Sequence, residues 1–173
     1  ITAGEFQAAF ADPGLARAMT DRLLAEVARD MAVWLDLGVD FGHVGINLSM
    51  ADFAEEGLVE RLVGAFGSAR VPTNRVVLEI TELVAMDDPS RDVADTLGRL
   101  RRSGFLVALD DFGTGFASLT HLMALKTDVI KIDRSFVDRL LTDHDSAVIV
   151  AAMIDIARQL DRRIVAEGIE TRA

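Results

Sequence analysis

Asp110 and Asp111 close an apolar run that begins at Phe105, and a Gly-Thr-Gly loop, Gly113 to Gly115, follows at once. Adjacent carboxylates at the end of a buried strand repel each other. A divalent cation removes the conflict, because its charge keeps both acids ionised and it prefers hard oxygen ligands. Acids that merely cap the following turn are the plainer alternative. The same arrangement recurs along the chain, with polar residues at or just past the end of an apolar, strand-like run: Asn47, Glu79 with Glu82, Lys131 with Asp133, and Glu167 with Glu170. Capping acids would scatter, whereas these sit at matching places in successive units.

The elements that must position them follow from periodicity. Phe6 and Phe10 lie four apart, a break falls at Asp12-Pro13-Gly14, and Leu15, Met19, Leu23, Val27, Met31 and Leu35 then trace one drifting helical face closed by Gly38. Strands are expected at Val44 to Ser49, Val76 to Ile80, Phe105 to Asp111, Val129 to Asp133 and Ile164 to Glu167. Helices are expected at Asp52 to Phe66, Asp88 to Arg102, around Leu119 to Leu125, and at His144 to Leu160. Strand and helix alternate five times, which predicts an α/β fold of parallel strands with crossover helices. Parallel strands put all their C-terminal ends on one side, so the polar groups converge there, as they do in a (β/α)8 barrel or at the switch point of a doubly wound sheet. The basic cluster Arg99, Arg101 and Arg102 ends its helix where cations favour the dipole, and reads as a solvated face.

Composition narrows the chemistry. The chain has 173 residues, enough for one sizeable core, and carries 28 acids against 18 bases for a formal charge of −10. That balance argues against binding a DNA or RNA polymer, while leaving room for a small anion held through cations. No cysteine is present, which excludes thiolate ligands and a Cys nucleophile and permits a cytoplasmic, reducing compartment. His43, His121 and His144 lack zinc-site spacing. One amide and several carboxylates offer only oxygen ligands, which suits Mg²⁺ or Mn²⁺. More acids are present than one ion needs; two ions about 3.5 to 4 Å apart are a recurring solution for hydrolysing phosphodiesters. Lys131 would then hold the attacking water or offset developing negative charge, the alternative being a salt bridge to Asp133 or another neighbour.

Five stretches carry a family resemblance: NLS at Asn47 to Ser49, LEITE at Leu78 to Glu82, DDFGTGFASL at Asp110 to Leu119, IKIDRSFV at Ile130 to Val137, and VAEGIET at Val165 to Thr171. In order and spacing they resemble the successive motifs of EAL domains, bacterial phosphodiesterases that hydrolyse cyclic di-GMP to linear pGpG. The resemblance implies a TIM-like (β/α)8 barrel whose first strand runs antiparallel to the rest. It implies metal ligation by Asn47, Glu79, Asp110, Asp111 and Glu167, with Asp110 or Asp111 bridging two Mg²⁺ or Mn²⁺ ions. Lys131 would position the hydrolytic water, and with Glu167 makes up the catalytic pair. Glu82 and Glu170 would secure the loop Phe112 to Leu119, which in the family bears on metal binding and dimerisation, and Asp133 would lie near the site or partner Lys131.

The chain departs from the family pattern at Phe116-Ala117, where Tyr-Ser is usual, and the Glu-Ala-Leu stretch and the late Gln-Gly strand are absent. A barrel of this type takes about 250 residues, so residues 1–173 are expected to form one EAL-like domain incomplete at both ends. A homodimer and fused regulatory signalling domains are expected partners. The competing class is a catalytically silent relative that binds cyclic di-GMP or a partner protein as a sensor. An enolase-type lyase would also take Mg²⁺ from strand-end acids, but the loop after Asp111 and the motif order fit it poorly. A kinase reading of Asp111-Phe112-Gly113 fails for want of a catalytic loop before it.

Overall fold

The computed structural model describes residues 13–54, 56–82, 84, 93–114, 122–123 and 125–169. Helix α1 (Pro13–Asp36) is followed by strand β1 (Val44–Asn47), the short α2 (Met50–Phe53), α3 (Leu58–Ser68) and a 3₁₀ turn at Thr73–Arg75. Then come β2 (Val76–Thr81), α4 (Val93–Arg102), β3 (Leu106–Phe112), β4 (Val129–Ile132), α5 (Arg134–Val137), α6 (His144–Gln159) and β5 (Arg163–Ala166).

All five strands are parallel and lie in the order β1-β2-β3-β4-β5. Each strand therefore pairs with its sequence neighbour and the order never reverses. A doubly wound sheet has a switch point where it does reverse, so among the described strands the winding is that of a barrel wall. The expected antiparallel first strand is not among these five.

Pleating sorts the side chains. On β2, Val76, Leu78 and Ile80 are buried while Val77, Glu79 and Thr81 are half-buried. The outward set, with Ile46, Val107, Leu109, Ile130 and Ile132, joins Leu62 and Phe66 of α3, Leu97 and Leu100 of α4, and Met153 and Ala157 of α6 in one apolar cluster. Phe66 and Phe105 meet edge to face inside it, with ring centroids 5.8 Å apart. The polar residues of interest lie on the other face.

Helix α1 differs in detail from its sequence pattern. Leu24, Ala28 and Met31 are its buried residues, spaced four and three apart, whereas Leu15 and Leu23 are about half exposed. Met31 belongs to the expected face, and Val27 and Leu35 of that face pack partly against the core, but at Leu24 and Ala28 the buried stripe sits one residue round, where the helix packs through small residues: Ala25, Ala28 and Ala32 line a cleft with Ala65 and Ala69, and Arg61 reaches Asp21 at 2.8 Å. Gly38, with φ of 69°, ends the helix region as expected. The expected helices before Pro13 and around Leu119 to Leu125 lie wholly or mostly outside the described residues.

The lower rim, at the N-terminal ends of β3 to β5, is tied by one acid. Asp128 takes a forked pair of hydrogen bonds from Arg101 (3.0 and 2.6 Å) and one from the Val107 N–H at 2.9 Å. Its backbone N–H donates to the Val107 carbonyl and its carbonyl accepts from the Arg163 N–H. Arg101 is therefore no part of a solvated face; Arg99 is, pairing with Glu60 between exposed side chains.

Candidate metal and catalytic centre

Register decides which groups can meet. Asn47 pairs with Glu79, Glu79 with Ala108, and Thr81 with Asp110. Partners in parallel register share a pleat, so Asn47, Glu79 and Asp110 lie on the same, inward face of the sheet. Lys131 pairs with Val165, two residues before Glu167, which puts the ends of β4 and β5 on that face as well.

Two consecutive residues of a regular strand point to opposite faces, yet Asp110 and Asp111 bring an oxygen each to one place. The backbone supplies the reason: Asp111 is left-handed, with φ of 55°, and the β3–β4 register shifts between Leu109 and Phe112. A bulge of this kind re-aims a side chain, and Asp is among the few residues that tolerate the left-handed region. One oxygen each of Asp110, Asp111 and Glu167 consequently lies within 4.8 Å of the others. Such a set of carboxylate oxygens suits a hard divalent cation, and no nitrogen or sulfur donor competes among them.

Lys131 stands inside the acids. Its Nζ lies 2.8 Å from Glu79 Oε2, 2.9 Å from Asp110 Oδ1 and 2.6 Å from Glu167 Oε1, and its side chain is only 13 % exposed. Burial lowers the pKa of this ammonium, but its hydrogen bonds to Glu167, Glu79 and Asp110 outweigh that and hold it above the ordinary lysine range. Asp111 shifts in the unfavourable sense. Burial pushes its carboxyl up, and the charges of Asp110, Asp133 and Glu167 add to this while Lys131 opposes it. The site is thus short of positive charge.

Asp133 does not partner Lys131. It caps α5, accepting from the Ser135 N–H at 2.9 Å, and hydrogen bonding from the Ser135 side chain, then from its backbone N–H, holds its carboxyl below the usual range. Its influence on the site is its charge on Asp111. Glu82, only 4 % exposed, accepts from the Gly113 N–H at 2.9 Å and so ties the end of β2 to the turn after β3. Gly113 sits there with φ of 100°, against Met153 and Phe136, where a side chain would not fit. Glu170, Phe116 and Ala117 lie outside the described residues.

Gly45 was not among the residues picked out from sequence. A Cβ at this position would run into Glu79 Oε1, so the absent side chain is what lets the Glu79 carboxylate lie across β1. A glycine inside a strand is the signal that pointed to such a close approach. Asp128, just before β4, carried no comparable signal.

A helix-backed wall of parallel strands, wound in one direction and carrying a cluster of carboxylates at its C-terminal rim, defines a TIM-barrel-like α/β protein with an acidic site that could hold a metal. The chain belongs to the EAL domain family, whose profile matches residues 1–173. It is 38% identical over 173 residues to the bifunctional diguanylate cyclase/cyclic di-GMP phosphodiesterase MucR of Pseudomonas aeruginosa, covering 100% of this chain and 25% of that protein. It therefore spans a quarter of that relative's length. The solved structure of the PaMucR phosphodiesterase in complex with c-di-GMP superposes with a TM-score of 0.89 at 37% identity, over 99% of this chain and 69% of that one. A manganese and cyclic di-GMP complex of Klebsiella pneumoniae BlrP1 superposes with a TM-score of 0.75 at 27% identity, over 87% and 39% of the two chains.

Proposed function

We propose that the protein is a metal-dependent phosphodiesterase that hydrolyses cyclic di-GMP to linear pGpG. The observation that supports it best is the convergence of Glu79, Asp110, Asp111 and Glu167, from three separate strand ends, around the single ammonium of Lys131. In this reading Asn47, Glu79, Asp110, Asp111 and Glu167 hold two Mg²⁺ or Mn²⁺ ions. Bound there, the ions supply Lewis-acid charge to the phosphate oxygens and make water a better nucleophile near neutral pH.

The chain's own residues do the rest. Glu79, Asp110 and Glu167 are fixed on β2, β3 and the end of β5, so their oxygens are placed in advance and little reorganisation is needed. Lys131, held among them on β4, donates hydrogen bonds to the attacking water or to the oxygens on which charge develops. Glu82 keeps the turn at Gly113 in place, and with it the backbone just beyond Asp111. Glu170 is assigned the same anchoring role. A homodimer, regulatory domains elsewhere in the protein, a barrel completed by an antiparallel first strand, and a cytoplasmic setting belong to the same proposal. Among the described residues no helix is long and apolar enough to cross a membrane.

The test is incubation of the intact protein with cyclic di-GMP and Mn²⁺, followed by chromatography of the nucleotides. pGpG appearing only with the metal is the expected result. Binding of cyclic di-GMP without any pGpG sinks the hydrolase reading in favour of a sensor.

A further inference from the structure

Lysine offers three N–H donors and no acceptor. In this chain Nζ donates to Glu79 Oε2 at 2.8 Å and is ion-paired with Asp110 and Glu167 at 2.9 and 2.6 Å. The partners come from three different strands, and each is also assigned here to hold a cation. An ammonium ion-paired with three acids at once is engaged by them before any water molecule or phosphate oxygen arrives. The same ammonium stands where four acids would otherwise face one another, since Asp111 adds a fourth carboxylate to the cluster.

We infer that Lys131 is a built-in counter-ion that holds the ligand carboxylates in place in the metal-free chain and is released from them by the divalent cation. Loading is then an exchange. Carboxylates that turn to a cation let go of Nζ, and only then are its N–H groups free to serve the reaction. The inference rests on the reading that these acids hold a cation, and it makes Lys131 a positioning group before it is a catalytic one.

Exchange has an unusual consequence. Removing a group that only assists a metal site weakens the site, whereas removing a competitor strengthens it. In Lys131→Met the metal-free protein should melt about 5 °C or more below wild type, because four acids are left uncompensated. Its Mn²⁺ affinity, by calorimetric titration of the intact protein with MnCl₂, should rise about tenfold or more, since a cation no longer displaces an ammonium from the same oxygens. Saturating Mn²⁺ should then raise the melting temperature of the variant more than that of wild type. Lys131→Arg, which keeps the charge, should not gain affinity. Where Lys131→Met does not fold without metal, the comparison is made in the Glu79→Gln background, with one carboxylate fewer.

Unchanged melting, or Mn²⁺ affinity equal to or below wild type in Lys131→Met, overturns the counter-ion role, as does a wild-type protein that binds no Mn²⁺. Neither readout involves cyclic di-GMP. A protein that shows the exchange and yields no pGpG refutes the phosphodiesterase reading alone, and one that hydrolyses without it refutes the exchange alone.

Discussion

The two rims of the sheet hold charge in opposite ways. At the lower rim Arg101 and Asp128 form a forked pair, and Asp128 spends its remaining capacity on the Val107 N–H. Each charge of that pair has its own partner and the acceptors are filled, which is what a structural tie requires. At the upper rim four carboxylates face a single ammonium, and Asp111 is pushed toward its protonated form by burial and by its neighbours. Partly buried charge that the protein leaves unbalanced is charge kept for something else. The contrast teaches how to separate a salt bridge that holds a fold from one that keeps a site ready: both have short contacts, but in one a single acid and a single base are forked together, and in the other several acids share one ammonium.

Breaking each rim should therefore give opposite signatures. The largest effect is expected from Asp110→Asn, which should lower Mn²⁺ affinity about 100-fold or more while leaving the urea midpoint of the metal-free protein near wild type. Calorimetry and urea titration check the two halves of that statement. Asp128→Ala should do the reverse, costing about 2 to 3 kcal/mol of stability in urea with Mn²⁺ affinity nearly unchanged. It strands the Val107 N–H and leaves Arg101 beside Arg162, whose own pKa is already lowered by burial and then by the Arg101 charge. A loss of metal binding in this variant would erase the distinction between the rims.

Gly45→Ala sharpens the comparison, since it touches the site without touching a ligand. The added methyl meets the Glu79 carboxylate and should weaken Mn²⁺ binding about tenfold, within the range for a group that orients a ligand. The smallest effect is on Asp111. Its folded pKa lies above its unfolded value, so the native state binds more protons between the two and stability falls as pH rises through that window. Above it, Asp111→Asn should raise the melting temperature of the metal-free protein, by about 2 °C, and Asn accepts the left-handed backbone equally well. A melting temperature that falls instead would show that the upper rim is not short of positive charge.

Much of this was legible in the chain. Apolar runs ending in Asn47, Glu79, Asp110, Lys131 and Glu167 marked both the strands and the rim, because a parallel sheet places every C-terminal end on one side. The strand bounds differ from expectation by no more than two residues. Met31 was buried as its spacing implied, whereas Leu15 and Leu23 were left half exposed, because their periodicity carries no record of which neighbour the helix meets. Arg101 was misread for the same reason: its partner Asp128 lies 27 residues away, in the turn just before β4.

From residue order alone came the donor types, their chain spacing and the alternation of strand and helix, because these depend on periods of two and 3.6 residues and on local turn chemistry. Tertiary structure decided that Asp110 and Asp111 share a side, through a left-handed residue and a shifted register. It decided also that Lys131 is ion-paired with acids from the ends of separate strands, and that Gly45 makes room for Glu79. Those outcomes depend on contacts between segments distant in sequence, which no local pattern encodes.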